Sequence, residues 1–167
     1  NKIGHAGTLD PLAEGILPIA LGKATKLIPF ITKKSKIYNF TIKWGSQTST
    51  DDSEGEIQFK SETIPSLEQI KNKIKNFQGQ LMQVPPKISA VKINGQRAYK
   101  LDRQNIDFEI KPKNVFVKSL SVTNHKINKT SFLIECGKGF YIRSFARDLS
   151  HQLNTFGHIF SLEREKV

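Results

Sequence analysis

The feature that most constrains the fold of this chain is a strict alternation of side chains over residues 38–44. Large apolar or aromatic residues occupy every second position with polar residues between them, so that Tyr38, Phe40, Ile42 and Trp44 alternate with Asn39, Thr41 and Lys43. A period of two is typical of a β-strand that buries one face and exposes the other. The chain is therefore expected to build a sheet in which one face of this strand lies against a core.

Other segments predict further strands and helices, but they do not follow one another in a strand–helix–strand rhythm. Ser66 followed by Gln69 resembles a capping box, which predicts that a helix begins there. The remaining patterned segments are the apolar run 16–21, interpreted as a short buried strand, the antiparallel strands 115–123 and 131–136, and the helix 142–153. This order favours an α+β fold with a mainly antiparallel mixed sheet and flanking helices.

Length and cysteine content limit the possible classes of protein. With 167 residues, of which 37% are hydrophobic and 11 are Phe, the chain is long enough for one domain with a real core. Its single cysteine, Cys136, excludes an internal disulfide and a zinc site built from several thiolates. The sequence contains no apolar stretch long enough to span a membrane and no signal peptide, so we expect a cytoplasmic protein.

Basic residues strongly outnumber acidic ones in this chain. The 26 Lys and Arg residues against 15 Asp and Glu residues give a formal net charge of +11 at pH 7. Such a surplus does not stabilise a compact chain, and it favours a polyanionic partner such as nucleic acid. Composition alone fits equally well a basic protein from a lysine-rich proteome. The charge therefore makes nucleic-acid binding a hypothesis that needs the support of a site.

A glycine-rich segment near the start of the chain carries a single carboxylate, Asp10, directly before Pro11. An Asp before a Pro is commonly a turn or helix-capping residue, because Pro favours the first position of a helix. The flanking glycines would alternatively let the backbone pass close to a ligand, with the carboxylate at the tip of the loop. The spacing of these residues does not decide between the two interpretations.

A second segment, 137–143, places a Tyr and an Arg after a Gly-Lys-Gly turn at the start of a predicted helix. Tyr141 would ordinarily be packed and Arg143 solvated. An Arg guanidinium is also the natural bidentate partner of a carboxylate, because its planar N–H groups match the two oxygens. Contact between Arg143 and Asp10 would keep that carboxylate ionised and fix its orientation.

Taken in order, the motifs of this chain resemble those of the TruB family of pseudouridine synthases. Segment 4–15, which reads Gly-His-Ala-Gly-Thr-Leu-Asp-Pro-Leu-Ala-Glu-Gly, is similar to the signature loop of that family. Similar segments follow in the family order over nearly the whole chain, at 22–26, Tyr38, 48–51, Gly55, 85–86, 89–92, Gly95, Tyr99, 138–143, 148–149, Leu162 and Arg164. The resemblance implies the catalytic-domain fold of a pseudouridine synthase over residues 1–167.

The chain also departs from the family pattern. Ile88 stands where an aromatic residue is usual, which is expected to alter packing only. Glu163 stands where a second Arg is usual, which puts one contact with RNA phosphate in doubt. The opening segment of the family and its C-terminal PUA domain lie outside residues 1–167, so the resemblance predicts a catalytic domain truncated at its N-terminus.

The resemblance implies that one uridine of RNA becomes pseudouridine, without a cofactor and without a metal ion. Asp10 would be the catalytic carboxylate, either as a nucleophile or as a base that acts on the sugar. Arg143 would hold Asp10 ionised. Tyr38 would stack on the uracil ring and is a candidate to handle the proton at C5. The target base would have to leave its stack before Asp10 could reach the sugar.

The same resemblance implies how the substrate is bound. Six residues match positions that contact it, namely His5, Tyr141, Leu162, Lys92, Arg97 and Arg164. Tyr141 and Leu162 would pack around the flipped base, and His5 would fill the space that the base leaves. The segment from about 85 to 113 resembles an RNA-gripping insertion whose basic side chains bind the phosphates of a stem-loop. The implied substrate is the T-arm of tRNA, at the uridine in position 55.

Two other functions are compatible with these residues. The first is a related pseudouridine synthase that depends on a guide RNA and protein partners, against which the loop 45–55 argues because it resembles the stand-alone bacterial type. The second is an RNA-binding module without activity, against which the joint presence of Asp10, Tyr38 and Arg143 argues. The resemblance therefore implies a monomer that binds tRNA, with no obligate protein partner and no membrane association.

Overall fold

A computed structural model describes residues 2–167, which form twelve strands and four α-helices. The strands are β1 (Ile3–His5), β2 (Glu14–Gly15), β3 (Ile19–Leu21), β4 (Lys36–Trp44), β5 (Ser46–Thr48), β6 (Ile57–Lys60), β7 (Gly79–Gln83), β8 (Lys92–Ile93), β9 (Gln96–Arg97), β10 (Lys113–Lys126), β11 (Lys129–Cys136) and β12 (Gly157–Lys166). The helices are α1 (Ile28–Thr32), α2 (Leu67–Ile74), α3 (Ala98–Arg103) and α4 (Ile142–Gln152), with 3₁₀ turns at Gly22–Leu27 and Lys75–Phe77. No helix within the described residues is long and apolar enough to cross a membrane.

Six strands form one sheet in the order β2-β12-β4-β11-β10-β7. All neighbouring strands are antiparallel except β2 and β12, which run parallel. Three two-stranded ribbons, β1-β3, β5-β6 and β8-β9, lie outside this sheet. The predicted α+β fold with a mainly antiparallel sheet is confirmed, and β10 and β11 are the predicted antiparallel pair. Strand β12, which carries two of the predicted site residues, is an element that the sequence patterns did not predict.

The side chains of β4 alternate as a period of two predicts. Phe40, Ile42 and Trp44 are buried, and the polar residues between them are partly exposed. The ring of Phe40 stacks on that of Phe132 in β11, with 5.3 Å between centroids. Phe145 of α4 meets the Phe40 ring edge-on at 5.6 Å. Because buried aromatic rings remove large apolar areas from water, this cluster stabilises α4 against the sheet. The first turn of α4 is thereby fixed beside β4.

Helix α2 begins at the predicted capping box. Gln69 N donates to Ser66 Oγ at 3.2 Å, and Ser66 N donates to Gln69 Oε1 at 2.8 Å. These two bonds satisfy backbone donors that lack partners in the first turn of any helix. Ile70 and Ile74, on the inner face of α2, join the main core. Local sequence therefore determines where this helix starts and which face it buries.

Segment 4–15 is a loop whose C-terminal end is attached to the sheet by β2. Strand β2 pairs with β12, and this pairing places Gly15 opposite Arg164. Gly15 has a φ of +97°, and a Cβ atom there would lie 2.3 Å from the carbonyl oxygen of Arg164. A residue with a side chain could adopt neither the backbone conformation nor the close approach. The glycine is therefore required for the loop to rest on β12.

The prediction of a buried strand over residues 16–21 is wrong. Only Ile19–Leu21 is a strand, and the Ile19 and Leu21 side chains are 55% and 63% exposed. The physical reason is that β3 pairs only with β1 and stays outside the six-stranded sheet. Apolar composition indicated a strand correctly, but burial depends on whether a second layer covers it.

Residues 85–113 form a small unit beside the sheet, built from the β8-β9 ribbon and α3. Asn94 and Gly95 have φ values of 48° and 85°, which is the predicted tight turn between two strands. The unit has its own apolar cluster of Val91, Ala98 and Ile110. The Tyr141 side chain, directly before α4, packs against this cluster. Tyr141 therefore links the unit to the first turn of α4.

Candidate active site

A cavity of about 610 Å³ opens between the loop 4–15, strands β4 and β12, and the start of α4. Residues of the polar loop 45–55 and of the segment 85–113 complete its wall. Six of the nine residues predicted from the sequence line this cavity, namely Asp10, Tyr38, Tyr141, Leu162, Arg143 and Arg164. The fold therefore brings residues from both ends of the chain to one place.

Asp10 and Arg143 form a bidentate ion pair in this cavity. Arg143 Nε donates to Asp10 Oδ2 at 2.9 Å, and Arg143 Nη2 donates to Asp10 Oδ1 at 2.8 Å. Two parallel bonds fix the plane of the carboxylate as well as its position. The Asp10 side chain is 28% exposed, whereas the Arg143 side chain is only 6% exposed. The carboxylate is thus held from behind and remains reachable from the cavity.

The Arg143 guanidinium is itself held by two other segments. Its Nη1 donates to the carbonyl oxygens of Thr50 at 3.0 Å and of Ile88 at 3.1 Å. A second carboxylate, that of Asp52, has its Oδ2 atom 3.8 Å from Arg143 Nε. Arg143 therefore joins the loop of Asp10, the polar loop and the segment 85–113 at one point.

Asp52 is a site residue that the sequence analysis did not select. It is 2% exposed, and its Oδ1 accepts from the Thr50 hydroxyl and from Glu54 N at 3.0 Å. The family-like motif ended one residue earlier, at Asp51. The Asp51 side chain lies toward Gln47, whose Nε2 donates to its Oδ1 at 2.9 Å. Burial raises the pKa of the Asp51 carboxyl. Two consecutive aspartates in a polar loop were the available signal, but their spacing does not say which one faces the arginine.

Tyr38 and Leu162 form the apolar floor of the cavity on the adjacent strands β4 and β12. Burial raises the pKa of the Tyr38 phenol, and the neighbouring Arg164 guanidinium acts in the opposite direction. Tyr141 lies across the cavity, where the Gln83 side chain both donates to its carbonyl and accepts from its backbone N–H. Burial also raises the pKa of the Tyr141 phenol. Two aromatic rings and an aliphatic side chain thus line the same cavity as the Asp10 carboxylate.

Arg164 is 1% exposed and binds the backbone of the loop that carries Asp10. Its guanidinium donates to the carbonyl oxygens of Ile16 at 2.8 Å, Gly7 at 3.0 Å and Thr8 at 3.3 Å. Hydrogen bonds from a charged donor are stronger than those from a neutral one. The side chain therefore positions the loop in addition to lining the cavity.

Lys36 is a second cavity residue that the sequence analysis did not select. It is 7% exposed, and its Nζ donates to the carbonyl oxygens of Thr32 at 3.2 Å and Lys34 at 3.1 Å. Burial lowers its pKa, and the nearby positive charge of Arg164 lowers it further. Lys36 lies on the same face of β4 as Tyr38 and Phe40, so extending the alternation by one step would have placed a lysine on the apolar face.

Neither a metal-ligand cluster nor a reactive thiol is found among the described residues. Within residues 2–167, no three His, Cys, Asp or Glu side chains are grouped as metal ligands. The Cys136 thiol is buried, and burial raises its pKa to about 12. A thiol in that state is a poor nucleophile. Asp10 is therefore the most accessible acidic group of the cavity that also has a fixed orientation.

Comparison with known sequences identifies the family. Residues 1–142 match the family described as TruB family pseudouridylate synthase (N terminal domain). The chain belongs to the TruB family. Two curated relatives are each called tRNA pseudouridine synthase B, one from Wolbachia pipientis subsp. Culex pipiens at 52% identity and one from Rhizobium meliloti at 51%. All of this chain matches, but it covers 48% and 54% of those two proteins, so it spans about half of their length.

Solved structures show the same fold as this TruB-family chain. A Cbf5-Nop10-Gar1 complex contains a chain with 26% identity and a TM-score of 0.72, which covers 98% of this chain and of which this chain covers 40%. An H/ACA RNP bound to a substrate RNA contains a chain with 21% identity and a TM-score of 0.69, over 98% of this chain and 38% of that one. The second likeness concerns the fold alone. The expectation of a pseudouridine synthase fold is confirmed.

Three of the predicted substrate-binding residues of the TruB-family chain lie away from the cavity lining. His5 is exposed at the end of β1, where it pairs with Ile19 of β3. Lys92 and Arg97 face each other across the exposed β8-β9 ribbon. Arg97 Nη1 donates to the carbonyl oxygen of Ala90, which ties the ribbon to the cavity wall. A substrate that contacts these residues would have to extend well beyond the cavity.

The two departures from the TruB pattern have simple positions in the structure. Ile88 lines the cavity, and its carbonyl oxygen accepts from Arg143. Glu163 is exposed on β12, opposite Glu14 of β2. Its side chain therefore lies on the surface, where a basic residue would be accessible to RNA.

Proposed function

We propose that this chain carries the active site that isomerises a uridine of tRNA to pseudouridine, with Asp10 as the catalytic carboxylate. The observation that carries the proposal is the bidentate pair of Asp10 with Arg143 at the wall of an aromatic-lined cavity. A turn or capping aspartate needs no buried guanidinium behind it. The names of the bacterial relatives, which are about half identical to this chain, support tRNA as the substrate.

The reaction begins when the bond between N1 of uracil and C1′ of ribose breaks, with the electron pair going to the uracil ring. Asp10 then either bonds to C1′ through a carboxylate oxygen or removes the proton at C2′ to give a glycal. The ring turns and C5 bonds to C1′, as the bond between Asp10 and C1′ breaks or, in the glycal route, as the proton returns to C2′. The proton at C5 is then lost, and N1 gains one. Atoms balance without a co-reactant, because the product is an isomer of the substrate. Arg143 keeps Asp10 oriented throughout, since fixed geometry lowers the barrier.

The floor of the cavity suits a base that has left its stack. Tyr38 offers a ring on which uracil can stack, while Leu162 and Tyr141 limit its position from other sides. Unstacking a base is unfavourable by a few kcal/mol, and contacts inside a close-fitting pocket offset that loss. The Tyr38 phenol is neutral near pH 7, and burial raises its pKa further, so the ring can accept a stacked base without bringing a charge.

The RNA itself is bound by the positive surface around the cavity. Lys92, Arg97, Lys111 and Lys113 are all exposed in or beside the segment 85–113, which forms part of the cavity wall. Phosphate contacts of this kind position a stem-loop, and the unstacked loop supplies the target base. The T-arm, with its uridine at position 55, is the stem-loop that we assign to the site.

We further propose that the protein acts as a monomer without a guide RNA. The fold is also that of chains in a Cbf5-Nop10-Gar1 complex, but those are 26% identical to this chain, whereas the bacterial relatives are about 50% identical. The loop 45–55, which supplies Asp52 and the Thr50 carbonyl to Arg143, resembles the stand-alone type. Recognition then depends on the protein surface alone.

Release of tritium from C5-labelled uridine tests the proposal directly. With the protein produced at the full length of its relatives, we expect release from position 55 of a T-arm hairpin, because the proton at C5 is lost when C5 bonds to C1′. A hairpin that carries the label only in its stem serves as the control and should retain it. Tight binding of the hairpin without tritium release would show that the protein is an RNA-binding module, not an isomerase.

Binding to the hairpin should weaken steeply with salt. If affinity depends on phosphate contacts, log K falls linearly with log salt by roughly 0.7–0.9 per phosphate neutralised. Changing the exposed Lys111 and Lys113 to Gln should make that slope shallower by about two such contacts. Changing Lys60 and Lys71, which are exposed on β6 and α2, to Gln is the matched control and should leave the slope unchanged. An equal slope for all three proteins would mean that the segment 85–113 does not contact phosphate.

A further inference from the structure

Two buried cationic side chains at the cavity, those of Lys36 and Arg164, are not neutralised by carboxylates of the described residues. The five ion pairs formed by residues 2–167 involve Lys118, Arg143 and Arg147, but neither Lys36 nor Arg164. Burying a charge is unfavourable unless it is paired or has a function. Arg143 is balanced by Asp10 and Asp52, whereas the side of the cavity near Tyr38 carries two uncompensated positive charges.

The two cations converge on Gly7 of the loop that carries Asp10. A Cβ atom at Gly7 would lie 3.6 Å from Lys36 Cε and 3.6 Å from Arg164 Nη1. The Arg164 guanidinium donates to two carbonyl oxygens of that loop, those of Gly7 and Thr8, and to that of Ile16 directly after it, so its donors are used to hold the loop. An ammonium group has three N–H donors, and Lys36 uses two of them on the carbonyl oxygens of Thr32 and Lys34. One donor of Lys36 therefore remains for a group in the cavity.

The position of Lys36 on β4 indicates which group that is. Lys36 and Tyr38 are two residues apart on one face of the strand, so their backbones are roughly 7 Å apart along it. A uracil ring stacked on Tyr38 would present its edge, with the oxygens O2 and O4, to the Lys36 side chain. The phosphates of the RNA are strongly hydrated and would remain at the mouth of the cavity, whereas Lys36 is only 7% exposed.

We propose that Lys36 is a further catalytic residue, which stabilises the uracil anion formed when the N1–C1′ bond breaks; this inference rests on the proposed function. The electron pair of that bond passes to N1 and spreads to O2 and O4, and an N–H of Lys36 donates to one of these oxygens. No bond to Lys36 forms, and no proton has to be transferred to it. When C5 bonds to C1′, the ring becomes neutral again and the lysine returns to its starting state.

Substitution of Lys36 by Met tests the proposal, because Met keeps most of the stem beside Gly7 and removes the charge. Loss of one donor to a developing anion typically slows a reaction by about 10²–10³-fold, and we expect single-turnover conversion of uridine to slow by that factor. Affinity for the hairpin, measured in an Asp10→Asn background, should change less than about threefold. Lys36→Arg should recover part of the rate, and Lys33→Met, which removes an exposed lysine nearby, is the matched control.

A hairpin with 5-fluorouridine at the target position makes the test independent of folding. Fluorine withdraws electrons and makes the uracil anion more stable. The fold by which Lys36→Met slows glycosidic cleavage should therefore be at least about ten times smaller with 5-fluorouridine than with uridine. A partly unfolded variant would lose the same fraction of activity with both substrates. Equal losses with the two bases, or no loss at all, would overturn the proposal.

A phosphate contact is the competing explanation for a slow Lys36→Met variant. A neutral methylphosphonate at the phosphate 5′ to the target uridine separates the two. If Lys36 contacts uracil, the variant remains slower than the wild type on the modified hairpin by the same factor. If the difference disappears there, Lys36 binds phosphate and the proposal is wrong. A wild-type protein that leaves uridine unchanged would instead refute the proposed function, and the inference with it.

Discussion

Changing Asp10 to Asn is expected to reduce turnover at least about 10⁴-fold while RNA affinity stays within about tenfold, or 1.4 kcal/mol. The amide keeps the size of the side chain and can still cap a turn, but it can neither attack C1′ nor take a proton from C2′. Arg143 retains Asp52 and two carbonyl oxygens, so the fold should survive the change. Tritium release measures the turnover, and filter binding with the same hairpin measures the affinity.

The matched control is Asp148→Asn. Asp148 also pairs with an arginine of α4, since Arg147 Nε donates to its Oδ1 at 2.9 Å, but it does not line the cavity. We expect this variant to keep its turnover. Substantial turnover in Asp10→Asn would refute the catalytic assignment. Loss of the cooperative thermal transition in Asp10→Asn, with Asp148→Asn unaffected, would support a structural turn aspartate instead.

Changing Arg143 to Met is expected to remove both activity and a large part of the stability. The substitution removes the positive charge beside the buried Asp52 carboxylate and leaves the carbonyl oxygens of Thr50 and Ile88 without their arginine donor. Breaking a buried ion pair from one side typically costs about 3–5 kcal/mol, which is a large fraction of the stability of most domains. Arg143→Lys keeps the charge, but one ammonium group cannot replace two parallel bonds to Asp10 and two more to carbonyl oxygens, so turnover should remain low.

Denaturant unfolding of a double-mutant cycle separates stability from catalysis. Because Asp52→Asn removes the stranded charge, the double variant Arg143→Met/Asp52→Asn should be more stable than Arg143→Met alone. Arg147→Met is the matched control on the same helix, and we expect it to lose only about 1 kcal/mol, since the Arg147 side chain is more exposed and its ion pairs are partly solvated. Additive losses in the cycle would mean that Arg143 and Asp52 do not interact energetically.

The two predictions together distinguish the parts of the site. If Asp10 acts on the substrate, as proposed, its substitution should affect the rate much more than the free energy of unfolding. Arg143 connects three segments of the chain and should affect both quantities. Such a division is common where one side chain performs chemistry and another holds it in position.

Sequence patterns predicted those parts of the fold that depend on neighbours along the chain. The alternation in β4, the capping box of α2 and the Asn94-Gly95 turn are each decided by backbone geometry over a few residues. The motifs also selected Asp10, Tyr38 and Arg143, and these residues line one cavity. Their catalytic roles stay predictions. The burial of the run 16–21 was predicted wrongly, because it depends on which strands join the sheet.

Only the tertiary structure decided which polar side chains share the cavity. Asp52 rather than Asp51 faces Arg143, Arg164 holds the loop of Asp10 from β12, and Lys36 enters the apolar face of β4. These contacts join segments that are distant in sequence, and their geometry depends on the order and register of strands in the sheet. A local pattern fixes which face of an element a residue occupies, but only the packed elements determine what lies opposite that face.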